Sequence, residues 1–138
     1  MTLQIRPCRA DEARDVIGLW HAAGARETVT DDTTSVERLL ERDHEALLVA
    51  ERDGTLVGTV IAGYDGWRGC VYRLAVHPHD RRGRVASALV EEAERSLRAR
   101  GAARVHAIVH AADDPATGFW ASAGYENQPG VARFIKNL

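Results

Sequence analysis

The stretch Leu74-Ala75-Val76-His77-Pro78-His79-Asp80-Arg81-Arg82-Gly83-Arg84-Val85-Ala86-Ser87-Ala88-Leu89 joins an apolar run, a basic turn and an amphipathic run. Pro78 stops a strand that ends near Val76. Val85, Ala86, Leu89 and Val90 open a helical stripe. A helix N-terminus offers free N–H groups and the positive end of the helix dipole, and both suit a phosphate or pyrophosphate. Arg81, Arg82 and Arg84 add guanidinium forks for charge-assisted hydrogen bonds. The turn is not a Walker loop, because no Gly-Lys-Ser/Thr follows, and it is not Gly-x-Gly-x-x-Gly. The plain alternative is a solvated arginine-rich turn, which three arginines alone do not exclude.

Other reactive side chains are sparse. His77-x-His79 has no third ligand beside it, so no metal is expected. Cys8 and Cys70 are far apart, fit no metal spacing and have no partnered histidine in sequence, so both are expected as reduced thiols rather than nucleophiles. Glu27, Asp31 and Asp32 fall in one polar loop, which is either solvated surface or a lure for a cationic amine. His106 and His110 flank the end of an alternating run and are expected to be structural or partly exposed, as Trp20 and Trp67 are expected to pack.

The elements that would position these residues follow from periodicity. Leu3 to Arg6 alternates and is stopped by Pro7, giving a first strand. Asp11 to Ala23 carries Ala13, Val16, Ile17, Trp20 and Ala23 at helical spacing. Thr34-Ser35-Val36-Glu37 fits a capping box for a short second helix holding Leu39 and Leu40. Ala46–Ala50 and Thr55–Ala62 flank Arg52-Asp53-Gly54, a hairpin signal. A glycine-rich loop leads to the run Cys70–Val76. Arg84–Arg100 is the strongest helix, with Glu91–Arg95 and Glu94–Arg98 pairs on its outer face and Gly101 behind it. Val105–Val109, Pro115–Ala123 and Val131–Ile135 read as a strand, a helix and a last strand. The order βααβββαβαβ predicts an α/β (α+β) three-layer domain, a mixed sheet with helices on both faces, spanning residues 1–138.

Taken in order, these pieces resemble the GNAT family of N-acetyltransferases over nearly the full length. That family's Arg/Gln-x-x-Gly-x-Gly/Ala turn is matched from Arg81, with Ala86 conforming, Gly83 one place early and Arg84 where glycine is usual. Gly58, Val76-His77-Pro78 and Phe119-Trp120-Ala121-Ser122-Ala123-Gly124-Tyr125 are similar to further family pieces. Gly58 to Gly69 is similar to the YpeA-like branch of small bacterial acetyltransferases.

The resemblance implies an acetyl-CoA-dependent transfer to a primary amine, direct and within a ternary complex. It implies acetyl-CoA contacts from Leu74, Ala75, Val76, Arg81, Arg82, Gly83, Arg84, Val85, Ala86, Ser87, Asp113, Phe119 and Trp120. It places Trp120 where relatives often carry the tyrosine acid, leaving Tyr125 and Tyr72 as substitutes. The glutamate base common on the fourth strand is missing from Cys70–Val76, so His110, Asp113, Asp114 and Glu27 are the candidate bases. Glu27, Asp31 and Tyr64 are the candidate acceptor contacts. The alternative is a non-catalytic acyl-CoA sensor.

Composition limits the rest. With Lys+Arg 18 against Asp+Glu 20 the net charge is −2, which argues against a nucleic-acid partner. No apolar run approaches the roughly 18–20 residues of a membrane span, so no membrane partner is expected. No signal peptide is visible at Met1–Ala10, so a cytoplasmic enzyme, monomer or homodimer, acting on a small-molecule or peptide amine is expected.

Overall fold

Five strands form one sheet in the order β1-β2-β3-β4-β5. They are β1 (Leu3–Pro7), β2 (Leu47–Arg52), β3 (Thr55–Tyr64), β4 (Gly69–Val76) and β5 (Val105–Ala107). The first four run antiparallel to their neighbours, and β5 lies parallel to β4. This is a computed structural model, which describes residues 2–81, 84–110 and 114–138, with only the backbone of Asp114.

Helices α1 (Ala13–Ala22) and α2 (Thr33–Arg42) cover one face, and α3 (Val85–Arg100) and α4 (Asp114–Ser122) the other. The interior strand β2, covered on both faces, therefore opens with four apolar residues, Leu47–Ala50. Leu48 and Ala50 pack towards α3, and Leu47 and Val49 pack with Val16, Trp20, Val36 and Leu40. Between β2 and β3, Asp53 (φ 52°) and Gly54 (φ 79°) make the tight turn that the Asp-Gly pair predicts.

Helix α3 sits close to the sheet because two glycines lie under it. A Cβ on Gly58 would meet Val85 Cγ1 at 2.8 Å and Leu89 Cδ1 at 2.9 Å. A Cβ on Gly69 would meet Leu97 Cδ1 at 2.9 Å. Both ends of the helix are thus fixed in height above β3 and β4. At the far edge, Arg6 grips Glu12 through two bonds, Nη1 to Oε1 at 2.8 Å and Nη2 to Oε2 at 2.7 Å, and reaches Glu51 at 2.7 Å. This ties the short 3-10 turn Ala10–Glu12, which precedes α1, to the sheet.

The expected order holds through α4, with three local differences. The cap of α2 is Asp32, whose Oδ1 accepts from Ser35 N at 2.7 Å, two residues before the expected cap Thr34. The fifth strand stops at Ala107 rather than Val109. Val131–Ile135 forms no strand: the edge it would extend is only Val105–Ala107, and Val131, Phe134 and Ile135 are exposed.

Candidate active site

The sheet opens between β4 and β5. Their pairing covers Gly69↔Val105, Cys70↔His106 and Val71↔Ala107, and the last bond is Ile108 N to Val71 O at 3.1 Å. Beyond it β4 runs on to Val76, and among the described residues no strand pairs with it on that side. The cause lies on the other side of β4. Thr59 pairs with Ala75 but Ile61 pairs with Tyr72, so β4 carries one extra residue, and Arg73 takes φ 53°. Such a bulge bends the strand and exchanges its faces. Val71 packs towards α3 before it, and Leu74 and Val76 do so after it.

A buried hydrogen-bond chain holds this bulge. Trp20 Nε1 donates to Thr59 Oγ1 at 2.8 Å, and Thr59 Oγ1 donates to the carbonyl of Arg73 at 3.0 Å. Past the bulge, His77 N donates to Val57 O at 2.8 Å, and alternation from there turns Ala75 towards β3. The backbone groups of Leu74 and Val76 therefore face the open edge. Ala75, expected beside them as a contact, is committed to β3 instead.

The open edge leads to the N-terminus of α3, whose first N–H groups have no acceptor within the helix. Arg84 is its N-cap residue, exposed and left-handed at φ 66° and ψ 11°. Val85 is buried beneath, and Ala86 and Ser87 are half-buried. Arg81 closes the corner, donating from Nη2 to Ala23 O at 3.0 Å and from Nε to Val76 O at 3.4 Å. Of the residues expected here, Arg82, Gly83 and Asp113 lie outside the described residues.

On the opposite face, the loop between α1 and α2 is tied down by the bulge residue itself. The Arg73 guanidinium stands 5.3 Å from the Trp20 ring, bonds Arg26 O at 2.9 Å and pairs with the Asp31 carboxylate. Asp31 also accepts from Thr28 N at 2.7 Å. Asp31, expected as an acceptor contact, anchors the loop, its Oδ2 shared by Arg73 and Thr28. Asp32 is spent as a cap, which leaves Glu27 as the exposed acid of this loop.

Where β4 and β5 part, a cleft of about 490 Å³ opens. Tyr72 and Ile108 flank it at the parting point, and Tyr64, Arg68, His106 and Arg133 line the rest. Burial pushes the Tyr72 phenol up from its ordinary value, with a smaller push from Cys70. A raised phenol keeps its proton at neutral pH and can give it to a thiolate.

Tyr125 stands elsewhere. Its hydroxyl donates to Glu94 Oε2 at 2.8 Å, in the third turn of α3, and its ring packs edge-on to Trp120 with centroids 4.8 Å apart. Burial first, and Glu94 second, hold its phenol well above the usual range. Trp120 is a core side chain under α3, and half-buried Phe119 packs edge-on against it at 5.4 Å. Neither Tyr125 nor Trp120 is aimed into the opening, because the apolar underside of α3 takes both. His110 is exposed beyond β5. Burial pushes the Cys8 thiol up to about 12 and raises that of Cys70, so neither is a ready nucleophile.

Trp20, Thr59 and Arg73 escaped the sequence argument. The one signal was a polar threonine within the apolar run Val57–Ala62, which in a buried strand calls for a partner.

Comparison with known proteins agrees with this arrangement. Residues 13–125 match the model of the acetyltransferase (GNAT) family. A curated acetyltransferase of Yersinia pestis is 40% identical over 127 residues, 91% of this chain and 89% of its own length. One from Sodalis glossinidius is 37% identical over 99% of this chain and 96% of its own. Among solved structures, the PaiA N-acetyltransferase of Thermoplasma acidophilum in complex with coenzyme A superposes with a TM-score of 0.81 at 16% identity, covering 93% of this chain and 92% of its own. The aminoglycoside N-acetyltransferase AAC(6')-Iy with a CoA bisubstrate analogue gives 0.80 at 19% identity over the full length of both. An open β4 edge leading to a helix N-terminus, in a chain so matched, makes this protein an acetyltransferase of the GNAT family.

Proposed function

We propose that the acetyl donor is acetyl-CoA, that the acceptor is a primary amine, and that transfer is direct, within a ternary complex. The observation carrying this reading is the continuous path from the backbone groups of Leu74 and Val76 to the N-terminus of α3 at Arg84–Ser87. An extended amide chain such as pantetheine fits the strand edge, and a pyrophosphate fits the helix end. That two solved neighbours hold coenzyme A or a CoA bisubstrate analogue supports the same placement.

The amine nitrogen attacks the thioester carbonyl, and the C–N bond forms. The developing oxyanion takes the open-edge N–H of Leu74. The C–S bond then breaks, and Tyr72 supplies the proton that turns the thiolate into CoA thiol. The amine proton leaves to water through the cleft, since Cys70–Val76 carries no carboxylate. The raised thiols of Cys8 and Cys70 favour this direct route over an acyl-enzyme. Two free cysteines suit a reducing cytoplasm, and among the described residues no helix is long and apolar enough to cross a membrane.

The test couples binding and turnover. Acetyl-CoA at 100 times its dissociation constant should stabilise the fold by about 2.7 kcal/mol, and S-acetylpantetheine, lacking the phosphates, should do much less. Free thiol should appear when amines are added. Equal stabilisation by both compounds overturns the phosphate placement. Stabilisation without thiol release from any amine overturns the transferase reading in favour of an acyl-CoA sensor.

A further inference from the structure

We infer that the acceptor is an amine whose far end carries an anionic group, a carboxylate or a phosphate, held by Arg68 and Arg133. This rests on the amine-acetyltransferase reading above and names the class of acceptor. The cleft at the parting of β4 and β5 begins at Tyr72 and Ile108, next to the open edge where the thioester would lie. Near that mouth its walls are aromatic and aliphatic. The lining also holds Arg68, Arg133, His106 and Asp65.

The charge there is unbalanced towards cations. Neither Arg68 nor Arg133 is ion-paired to a described carboxylate, whereas Arg6, Arg52, Arg73 and Arg100 all are. Arg68 is held over the Trp67 ring, its guanidinium carbon 4.1 Å from the centroid, and the fork stays available. Arg133 projects its field into the cleft, where it acts against the burial that raises the Cys70 thiol. The one carboxylate among the lining residues, Asp65, has its Oδ1 turned to its own loop, accepting from Trp67 N and Arg68 N, both at 2.8 Å. Of the three acids expected to attract a cationic acceptor, Asp31 is engaged by Arg73 and Asp32 by the α2 cap, and the exposed Glu27 does not line this cleft. A cationic tail would find two unpaired guanidinium groups, and an anionic tail would find two charge-assisted partners.

The spacing narrows the class further. Arg68 precedes Tyr72 by four residues, roughly 13 Å along an extended strand. The anionic group therefore stands several bonds from the reacting nitrogen. This favours ω-amino acids and ω-aminoalkyl phosphates over α-amino acids.

The experiment compares acceptors of one length in the thiol-release assay: hexylamine, 1,6-diaminohexane, 6-aminohexanoate and 5-aminopentyl phosphate. Loss of one hydrogen bond to a charged group corresponds to about ten- to hundredfold. The expected kcat/KM for the better anionic acceptor exceeds that for hexylamine by about that factor, and the two anionic arms tell carboxylate from phosphate. Arg68→Gln and Arg133→Gln should each raise the KM of the anionic acceptor and shrink its advantage over hexylamine. Titration calorimetry of 6-aminohexanoate and 5-aminopentyl phosphate into the CoA-loaded protein gives a readout that needs no turnover, and the same variants should weaken it. Preference for hexylamine or the diamine, with turnover intact, overturns the anionic class and leaves the transferase reading standing. Absence of binding by both anionic probes also overturns the inference, whatever the assay shows.

Discussion

The indole of Trp20 and the hydroxyl of Thr59, 39 residues apart and both buried, meet at 2.8 Å, and through Thr59 they hold the Arg73 carbonyl of the β4 bulge. The chain runs from α1 through β3 to the strand edge that opens the sheet. Thr59→Val keeps the shape and removes the hydroxyl, leaving a buried N–H and a carbonyl unpaired. Each unsatisfied group costs about 1–3 kcal/mol. The variant should lose stability of that order in urea unfolding. It should also weaken acetyl-CoA in calorimetry beyond what Val36→Ala, a core change away from β4, produces. If both variants bind acetyl-CoA as tightly as the parent protein, the chain is structural only and does not position the bulge.

Gly58 tests the seat of α3. Its missing Cβ lets Val85, the first residue of the helix, lie against β3, and Ala75 O is 3.2 Å from the same point. Gly58→Val should cost about 1–3 kcal/mol, the usual scale of overpacking, and should displace the start of α3. A melting curve should fall and acetyl-CoA affinity should drop with it. A lower melting temperature with unchanged affinity would show that the helix end does not depend on this contact.

The fold was legible where one period dominates. The stripe of α3, the Asp53-Gly54 turn and the apolar Leu47–Ala50 run of β2 all state their surroundings in their residues. Val131–Ile135 alternates like a strand yet forms none, because alternation reports an amphipathic face and not the presence of an edge to join. The site was half legible. The arginine turn and the helix start are local, and the sequence carries them. The bulge is not local: it depends on Thr59 meeting Trp20 and on Arg73 reaching Asp31, contacts 39 and 42 residues apart. The packing of Tyr125 and Trp120 was illegible for the same reason, since the space under α3 that draws them in is made by other segments.

Acid should weaken the Arg6–Glu12 pair. The Arg6 hydrogen bonds, the largest cause, hold the Glu12 carboxyl down at about 2 from its ordinary 4.5, and its side chain is only 10% exposed. A carboxyl lowered on folding stabilises fully above its unfolded value. That contribution, about 3 kcal/mol at 1.36 kcal/mol per unit, should therefore be present above pH 4.5 and fade as pH falls towards 2. Glu12→Gln should be less stable at pH 7, and the difference should narrow between pH 4.5 and 2. A constant difference across that window, followed by urea unfolding, would remove the ion pair as its cause.

Arg84 sits where a glycine would be at ease. At φ 66° a non-glycine residue is strained by about 1–2 kcal/mol, and Arg84 is the N-cap residue of α3, so it carries no helix-interior propensity to lose. Arg84→Gly should therefore raise the melting temperature. Its effect on acetyl-CoA should run the other way. If the exposed guanidinium contacts a phosphate of the donor, as proposed for this helix end, its loss should weaken binding by about 1–3 kcal/mol, with a shallower salt dependence. Melting curves and calorimetry at two salt concentrations separate the two effects. Tighter binding by the glycine variant would show that the side chain crowds the phosphates.

Tyr72 and Tyr125 divide the remaining question of the acid. Tyr72 stands at the parting of β4 and β5, lines the cleft, and keeps its proton because burial raises it. Tyr125 spends its hydroxyl on Glu94 and its ring on Trp120. Tyr72→Phe should lower kcat by about 10²–10⁴, the range for a positioned proton donor, with acetyl-CoA affinity and melting temperature nearly unchanged. Tyr125→Phe should do the reverse, losing about 1–3 kcal/mol of stability with the bond to a charged group while kcat holds. Solvent pH gives a second axis. A thiolate that receives its proton from Tyr72 should make kcat fall as the phenol ionises, at a pH above the ordinary tyrosine value, and Tyr72→Phe should flatten that limb. An acetyl donor with a better thiol leaving group, such as an aryl thioester, should rescue Tyr72→Phe, because its thiolate departs without a proton. If Tyr72→Phe turns over normally while Tyr125→Phe stalls in a stable fold, the acid is Tyr125 and the Glu94 bond must break during the cycle.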